Sequence, residues 1–445
     1  MRKETDALGT WELEEDDLIG INTARALDNF SLNHKRTSLD LIYAIVRVKR
    51  AAAVTYEKIG VRPDIYEKVK EAADEILAGR YDDCFTLDAL SGGAGTSVNM
   101  NVNEVLANLT LKLLGEKPGR YDLVHPLDDI NRGQSTNDVY PTALRIAAVD
   151  KLRLLSDECA RLQESLQKKE LEYQDIEKLG RTELMDAVGI TLGEEFGAYA
   201  QAVARDRWRI YKMEERLRQV NIGGTAVGLS NAASRKYRFG IIEELRRSTG
   251  IGLAAAEYPM DITQNNDVFV EVSGLLKALA VNLSKIAGDF RLMNSGPFGG
   301  LGEIRLKAMQ QGSTIMPGKV NPVIAEMTIQ AAIQVMASDT AISMAASRGE
   351  FELNAFLPLI ADNLLDSLNL MIRTVSIFRT KCVDLLEARE DRCRMHLEAA
   401  AGFGADYISL LGYDQVSRVI TGHSPEEARK ILEKMKAEKA EEEKK

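Results

Sequence analysis

The chain has 445 residues, enough for two or three domains, and its formal net charge of −10 argues against a nucleic-acid-binding protein. The charged N-terminus does not resemble a signal peptide, and no apolar run approaches the length that a membrane span needs. Four scattered cysteines without metal-ligand spacing favour free thiols in a reducing compartment. We therefore expect a cytoplasmic protein that binds neither nucleic acid nor membranes.

Helical spacing and turn residues divide the chain into three predicted parts. Residues 1–132 are predicted to form an N-terminal helical domain that is rich in loops, including the glycine-rich stretch 92–95. Residues 133–387 hold most of the periodic helices, and the absence of proline between Pro141 and Pro259 permits very long ones there. Residues 388–445 are predicted to form a small C-terminal helical domain, and the charged run 441–445 is expected to be a frayed tail.

Two apolar stripes within the middle part follow the three-and-four spacing of a helix face. The first runs through residues 272–290 and the second through residues 364–375. Alternating runs of β-branched residues between turns are few. The sequence therefore predicts an all-α fold with long helices whose apolar faces must be buried.

Residues 312–322 read Gly-Ser-Thr-Ile-Met-Pro-Gly-Lys-Val-Asn-Pro, and this stretch is the strongest candidate for a catalytic segment. Its four glycine or proline positions predict a shaped loop instead of a helix or strand. The loop carries a hydroxyl at Ser313, a cation at Lys319 and an amide at Asn321. Such a set suits removal of a proton from a carbon beside a carboxylate, because the cation and the amide can hold the anion that forms. The alternative is an ordinary surface turn.

Three blocks of sequence resemble the aspartase/fumarase superfamily. Residues 92–104 read Gly-Gly-Ala-Gly-Thr-Ser-Val-Asn-Met-Asn-Val-Asn-Glu, and residues 133–141 read Gly-Gln-Ser-Thr-Asn-Asp-Val-Tyr-Pro. Together with the loop at 312–322, these blocks occur in the order of the family's signature regions, and the likeness extends over about residues 8–414. The resemblance implies three helical domains, with five long helices of the central domain packing into the core of a homotetramer. It also implies that three subunits build each active site.

The resemblance further implies a site residue by residue. The reaction of the family is the reversible elimination of an amine or a hydroxyl from a succinyl group, which yields fumarate. Ser313 would be the base, Asn137 would lie near the leaving group, and a set of donors would hold the two carboxylates of a small dicarboxylate substrate. That set comprises Thr96, Ser135, Thr136, Lys319 and Asn321. An alternative for Ser135 and Thr136 is helix capping, which is compatible with carboxylate binding at a helix N-terminus.

Two positions bear on the leaving group. Ser97 resembles the aspartase branch, because fumarases usually carry glutamine there. Glu183, which follows Thr182, departs from the family, in which fumarases have histidine and aspartases have glutamine or histidine. A carboxylate could accept hydrogen bonds from a substrate ammonium group. Alternatively, Glu183 is a solvated residue near a helix start, and Glu303 would reinforce it only if the two lie close together.

We therefore expect a carbon–nitrogen lyase that eliminates ammonia from L-aspartate to give fumarate, with no cofactor and no metal ion. The scattered histidines of the chain show no ligand spacing. Three alternatives remain open: a class II fumarase acting on malate, an ammonia-lyase for a substituted aspartate, and an inactive structural relative.

Overall fold

The structure of the chain is a computed structural model that describes residues 1–442. Helix accounts for 63% of it and the strands are short, so the fold is all-α as the sequence predicts. The predicted charged tail begins inside the last helix, and residues 443–445 of that tail lie outside the described residues.

Fifteen α-helices are found in the described residues. They are α1 (Ile21–Asn29), α2 (Leu39–Lys58), α3 (Pro63–Leu77), α4 (Thr96–Leu113), α5 (Thr136–Glu172), α6 (Leu192–Leu217), α7 (Arg235–Thr249), α8 (Pro259–Gln264), α9 (Asp267–Met293), α10 (Val323–Ala346), α11 (Leu357–Lys381), α12 (Glu390–Ala399), α13 (Ile408–Leu411), α14 (Tyr413–Gly422) and α15 (Pro425–Glu442).

Eight short strands occur within residues 1–442, and they pair two by two. They are β1 (Arg2–Asp6) with β2 (Gly9–Leu13), β3 (Glu177–Thr182) with β4 (Met185–Thr191), β5 (Gln219–Val220) with β6 (Ala254–Ala255), and β7 (Ile304–Arg305) with β8 (Glu387–Ala388). Only the β5–β6 pair is parallel. The two hairpins at residues 2–13 and 177–191 were not predicted from the sequence, and the second of them carries Thr182.

Both predicted helix faces are confirmed. The stripe at residues 272–290 lies in α9, where Val272, Leu279 and Phe290 are fully buried. The stripe at residues 364–375 lies in α11. The proline-free segment forms α5 and α6, of 37 and 26 residues, with the β3–β4 hairpin between them. The absence of proline therefore permits long helices without predicting where they stop.

The described chain divides into two compact units, each made of three separate stretches. The first unit contains Met1–Ser156, Trp208–Ala278 and Gln334–Ile372, and the second contains Asp157–Arg207, Leu279–Ile333 and Arg373–Lys445. Every boundary falls inside a long helix, namely α5, α6, α9, α10 or α11. The three domains 1–132, 133–387 and 388–445 stay a prediction.

Each unit has its own apolar core. In the first unit, α4 buries Val102, Val105 and Leu106 completely. In the second, the ring of Phe290 packs between two other rings. Its centroid lies 5.5 Å from that of Phe196 and 5.6 Å from that of Phe378. Aromatic rings at this spacing bury large apolar areas and pack in defined orientations. These cores hold the helix ends and loops described below in fixed positions.

Two further properties concern the described residues. None of their helices combines the length and the apolar character that crossing a membrane requires. All four cysteines are free thiols, as the sequence indicates.

Candidate active site

Thr96 and Ser97 begin α4 in the first unit. Thr96 is exposed and donates a hydrogen bond from its hydroxyl to the carbonyl of Gly93 at 2.7 Å, while Ser97 is half-buried. The preceding Gly95 has φ +92°, and a Cβ on it would lie 2.3 Å from the ring of Tyr140. Only glycine allows this turn and this close approach. The glycine-rich stretch therefore places the first turn of α4 directly against the start of α5.

Ser135 and Thr136 stand at the start of α5. The hydroxyl of Ser135 accepts a hydrogen bond from the backbone N–H of Asn137 at 3.1 Å, so the capping interpretation of Ser135 is confirmed. Thr136 is buried, and its hydroxyl accepts from the amide of Asn99 on α4 at 3.1 Å. This bond uses a lone pair of the Thr136 oxygen, so the hydroxyl proton remains available to donate to an anionic ligand. The helix N-terminus adds a partial positive charge at the same place.

Asn137 lies where α5 is irregular. Pro141 within the helix has no N–H to give to the carbonyl of Asn137, and Asn221 donates to that carbonyl instead, at 2.9 Å. The side-chain amide of Asn137 donates to the carbonyl of Ala226 at 2.8 Å. Asn137 is therefore held between the helix and the loop at residues 221–226, with its side chain half-buried.

Asp138 anchors the same turn from inside the protein. Its carboxylate accepts from the backbone N–H groups of Ser135 at 2.9 Å, Gly223 at 3.0 Å and Thr225 at 2.9 Å. Burial raises the pKa of Asp138 to about 6, although these three N–H groups and the charge of Lys49 oppose the rise. The carboxylate thus ties the segment of Ser135 to the loop that holds Asn137.

Ser313 lies in the second unit, in the loop between β7 and α10, as the sequence predicts. Its hydroxyl oxygen accepts two backbone hydrogen bonds, from the N–H of Ile315 at 3.1 Å and from the N–H of Met316 at 2.8 Å. Two donors aimed at one oxygen stabilise that oxygen as an anion, in the same way as an oxyanion hole. The arrangement can therefore stabilise negative charge on the Ser313 oxygen.

The same loop closes on itself between Ser313 and Lys319. The backbone N–H of Ser313 donates to the carbonyl of Lys319 at 3.2 Å, and a Cβ on Gly312 would lie 1.6 Å from that carbonyl oxygen. Glycine at position 312 is thus required for the closure. The ammonium of Lys319 is exposed and donates to the side-chain oxygen of Asn321 at 2.7 Å, which fixes both groups next to each other.

A cavity of about 870 Å³ lies beside this loop in the second unit. Lys319 and Asn321 contribute to its wall. Four other cationic side chains and two carboxylates also line it: Arg291, Arg305, Lys307, Arg389, Glu326 and Glu387. The excess of cations makes the cavity suitable for an anion. No cluster of three or more histidine, cysteine or carboxylate side chains that could hold a metal ion occurs within residues 1–442.

Thr182 is the last residue of β3, and Glu183 lies in the turn of the β3–β4 hairpin in the second unit. Both are exposed, and Glu183 has a φ of +54°, an unusual conformation for a residue with a side chain. Glu303, in contrast, is fully buried and bonded to Lys178 at 2.9 Å and Arg181 at 2.7 Å. These two cations already neutralise Glu303, so it is not available to bind a substrate ammonium together with Glu183.

The predicted site residues thus form three groups. The structure brings together Thr96, Ser97, Ser135, Thr136 and Asn137 at two helix N-termini of the first unit. It places Ser313, Lys319 and Asn321 in one loop of the second unit. In the part of the chain that the structure describes, no hydrogen bond or ion pair joins that loop to the hairpin of Thr182 and Glu183.

A buried polar network beneath Ser135 was missed from the sequence. It links the side chains of Lys49, Asn99, Asn131 and Gln134, and Asp138 accepts from the backbone N–H of Ser135 beside them. The sequence contains a sign that Lys49 is buried, because Lys49 falls on the same helical face as Ile42 and Ile45 in an otherwise apolar stripe. A lysine at such a position is either paired or functional.

Comparison with known proteins identifies the family of the chain. A family model described as "Lyase" matches residues 9–337. The aspartate ammonia-lyase of Bacillus subtilis (strain 168) is 41% identical over 425 residues, which cover 94% of this chain and 88% of that protein.

Solved structures of two other proteins are also similar to this chain over most of its length. A fumarate lyase:delta crystallin from Brucella melitensis is 40% identical with a TM-score of 0.90, and the match covers 96% of this chain and 99% of that one. A class II fumarase from Schistosoma mansoni is 28% identical with a TM-score of 0.92, and the match covers 97% and 95% of the two chains. The chain therefore belongs to this lyase family, a carbon–nitrogen lyase family within the aspartase/fumarase superfamily.

Proposed function

We propose that this chain is an ammonia-lyase that converts L-aspartate to fumarate and ammonia. The observation that carries the proposal is the environment of Ser313, whose oxygen accepts two backbone N–H bonds in a loop that also presents Lys319. Relatives named aspartate ammonia-lyase that are about 40% identical over most of the chain support the choice of substrate.

The first step is proton abstraction. Ser313, with its oxygen stabilised as an anion, removes a proton from the methylene carbon of aspartate. The electron pair of the broken C–H bond moves into the adjacent carboxylate, which becomes a dianionic enediolate. Stabilisation of this second negative charge limits the rate, because only contacts that strengthen as the charge develops lower the barrier. Lys319, held beside Asn321, provides the cation for this purpose.

The second step breaks the carbon–nitrogen bond. The enediolate returns its electron pair to form the carbon–carbon double bond, and the amine departs from the neighbouring carbon as ammonia. The donors at the starts of α4 and α5, including Thr96, Ser97, Ser135 and Thr136, hold the substrate carboxylates, and Asn137 lies near the leaving group. The step needs no organic cofactor and no metal ion.

The assembly belongs to the same proposal. The candidate residues come from three separate parts of the chain, and we infer a cytoplasmic homotetramer in which three subunits contribute to each site. Each subunit would supply one of the three groups described above. A small dicarboxylate is the only partner that the reaction requires, and the direct test is release of fumarate and ammonia in equal amounts from L-aspartate.

A second candidate is an ammonia-lyase for a substituted aspartate, and Glu183 is the observation that favours it. An exposed carboxylate on the turn of the β3–β4 hairpin would attract a cationic group of the substrate. Glu183 would therefore influence which amino substrate the protein prefers, while the type of reaction stays the same.

We expect Glu183→Gln to change the ratio of kcat/KM for L-aspartate to kcat/KM for N-methyl-L-aspartate by about tenfold, because a hydrogen bond to a charged group contributes roughly 1.5–3 kcal/mol. Steady-state kinetics with both substrates measure this ratio. The matched control is Glu177→Gln, which removes an exposed carboxylate from β3, at the other end of the hairpin. If the ratio is the same in wild type and both variants, Glu183 is a solvated surface residue.

A further inference from the structure

Lys49 is a lysine buried in an apolar helix face. It lies on α2 and is only 1% exposed, among Ile45, Val48 and Ala52, which are also fully buried. No salt bridge to Lys49 occurs within the described residues, and burial lowers its pKa to about 7. A buried amine without an ion pair costs free energy unless hydrogen bonds replace its hydration. The two hydrogen bonds that Lys49 donates therefore offset this cost.

Those groups are two amides directly before the start of α5. The Nζ of Lys49 donates to Asn131 Oδ1 at 2.7 Å and to Gln134 Oε1 at 3.0 Å. The other end of the Asn131 side chain donates to the backbone carbonyl of Gln134 at 3.2 Å. Lys49 therefore holds both ends of the short segment that leads into Ser135.

The same network reaches Thr136. Asn99 on α4 donates from one amide nitrogen to Asn131 Oδ1 at 3.2 Å and to Thr136 Oγ1 at 3.1 Å. An amide nitrogen has two protons, so both bonds can exist together. A continuous path of hydrogen bonds thus runs from Lys49 through Asn131 and Asn99 to the Thr136 hydroxyl, which is left free to donate to a ligand.

We propose that Lys49 is a positioning residue for the carboxylate-binding start of α5, because it fixes Asn131 and Gln134 and, through Asn99, orients the Thr136 hydroxyl. Lys49 acts through these side chains and touches no substrate atom. The inference rests on the proposed function, since it requires Thr136 to bind a dicarboxylate.

Lys49→Met tests this role. Methionine keeps the length and apolar stem of lysine but leaves Gln134 Oε1 without its donor, and it removes the 2.7 Å bond to Asn131 Oδ1, which keeps only the longer bonds from other amides. We expect KM for L-aspartate and Kd for fumarate to rise at least about tenfold, with a smaller change in kcat, because substrate carboxylate binding is weakened before the reaction begins. Steady-state kinetics and a fumarate titration followed by calorimetry measure the two effects.

The matched control is Lys169→Met. Lys169 is also buried, and it donates to Tyr173 and to the carbonyl of Leu386 in the second unit, outside the proposed site. Both substitutions are expected to lower Tm, since each removes buried hydrogen bonds, but only Lys49→Met should raise KM. Equal KM values in the two variants would overturn the role of Lys49.

Asn99→Ala provides a second test if Lys49→Met does not fold. It removes the link between Asn131 and Thr136 while both bonds of Lys49 remain possible. We expect the same increase in KM with a smaller loss of stability, and an unchanged KM would contradict the proposed path. A wild-type protein that neither binds fumarate nor consumes L-aspartate would instead refute the proposed function, and the inference with it.

Discussion

Ser313→Ala is expected to lower kcat for fumarate formation by about 10³-fold, a contribution typical of a general base. The variant loses the oxygen that accepts the N–H groups of Ile315 and Met316, and no other hydroxyl takes its place. Fumarate should still bind with nearly the wild-type Kd, because the carboxylate donors are unchanged. Steady-state kinetics together with a fumarate titration measure both quantities.

The control for this prediction is Thr314→Ala, which removes the neighbouring exposed hydroxyl from the same loop. It should leave kcat within about twofold, because surface substitutions of this kind have small effects. Near-normal turnover by Ser313→Ala would remove Ser313 as the base. A loss of fumarate binding in that variant would instead show that the substitution had disrupted the loop.

Lys319→Met is expected to lower kcat/KM by about 10²–10³-fold, the effect of removing one group that stabilises a developing oxyanion. The ammonium of Lys319 stands beside Asn321 at the wall of a cavity with an excess of cations. Its charge is needed most when the substrate carboxylate becomes a dianion, so kcat should fall along with kcat/KM. The kinetic constants for L-aspartate measure the effect.

A surface lysine provides the comparison. Lys381→Met removes an exposed positive charge from the last turn of α11, and it changes the net charge of the protein by the same amount as Lys319→Met. Its kinetics should match those of the wild type. If Lys319→Met raises KM while kcat stays unchanged, Lys319 binds substrate and transition state equally and does not stabilise the enediolate.

The helices and the candidate catalytic loop could be predicted because their signals are local. Apolar spacing identifies α9 and α11, and four glycine or proline positions identify the loop of Ser313. Ser135 and Thr136, at the start of α5, were likewise visible as capping candidates.

Features that depend on distant contacts could not be predicted in this way. The β3–β4 hairpin has a bulge between Leu179 and Arg181 and glycines in both strands, so its alternation is weak. The partners of Lys49 come from helices and turns that are 82 and 85 residues away along the chain. The two compact units are each built from three separate stretches, and no local pattern marks such boundaries.

The most direct measurement follows the absorbance of fumarate with the purified protein, with L-aspartate and L-malate offered in parallel and ammonia determined in the same samples. We expect fumarate from L-aspartate only, with ammonia released in equal amount. Fumarate from L-malate only would contradict the proposed ammonia-lyase and establish a fumarase. No fumarate from either substrate would also contradict it, and substituted aspartates would be the next substrates to test.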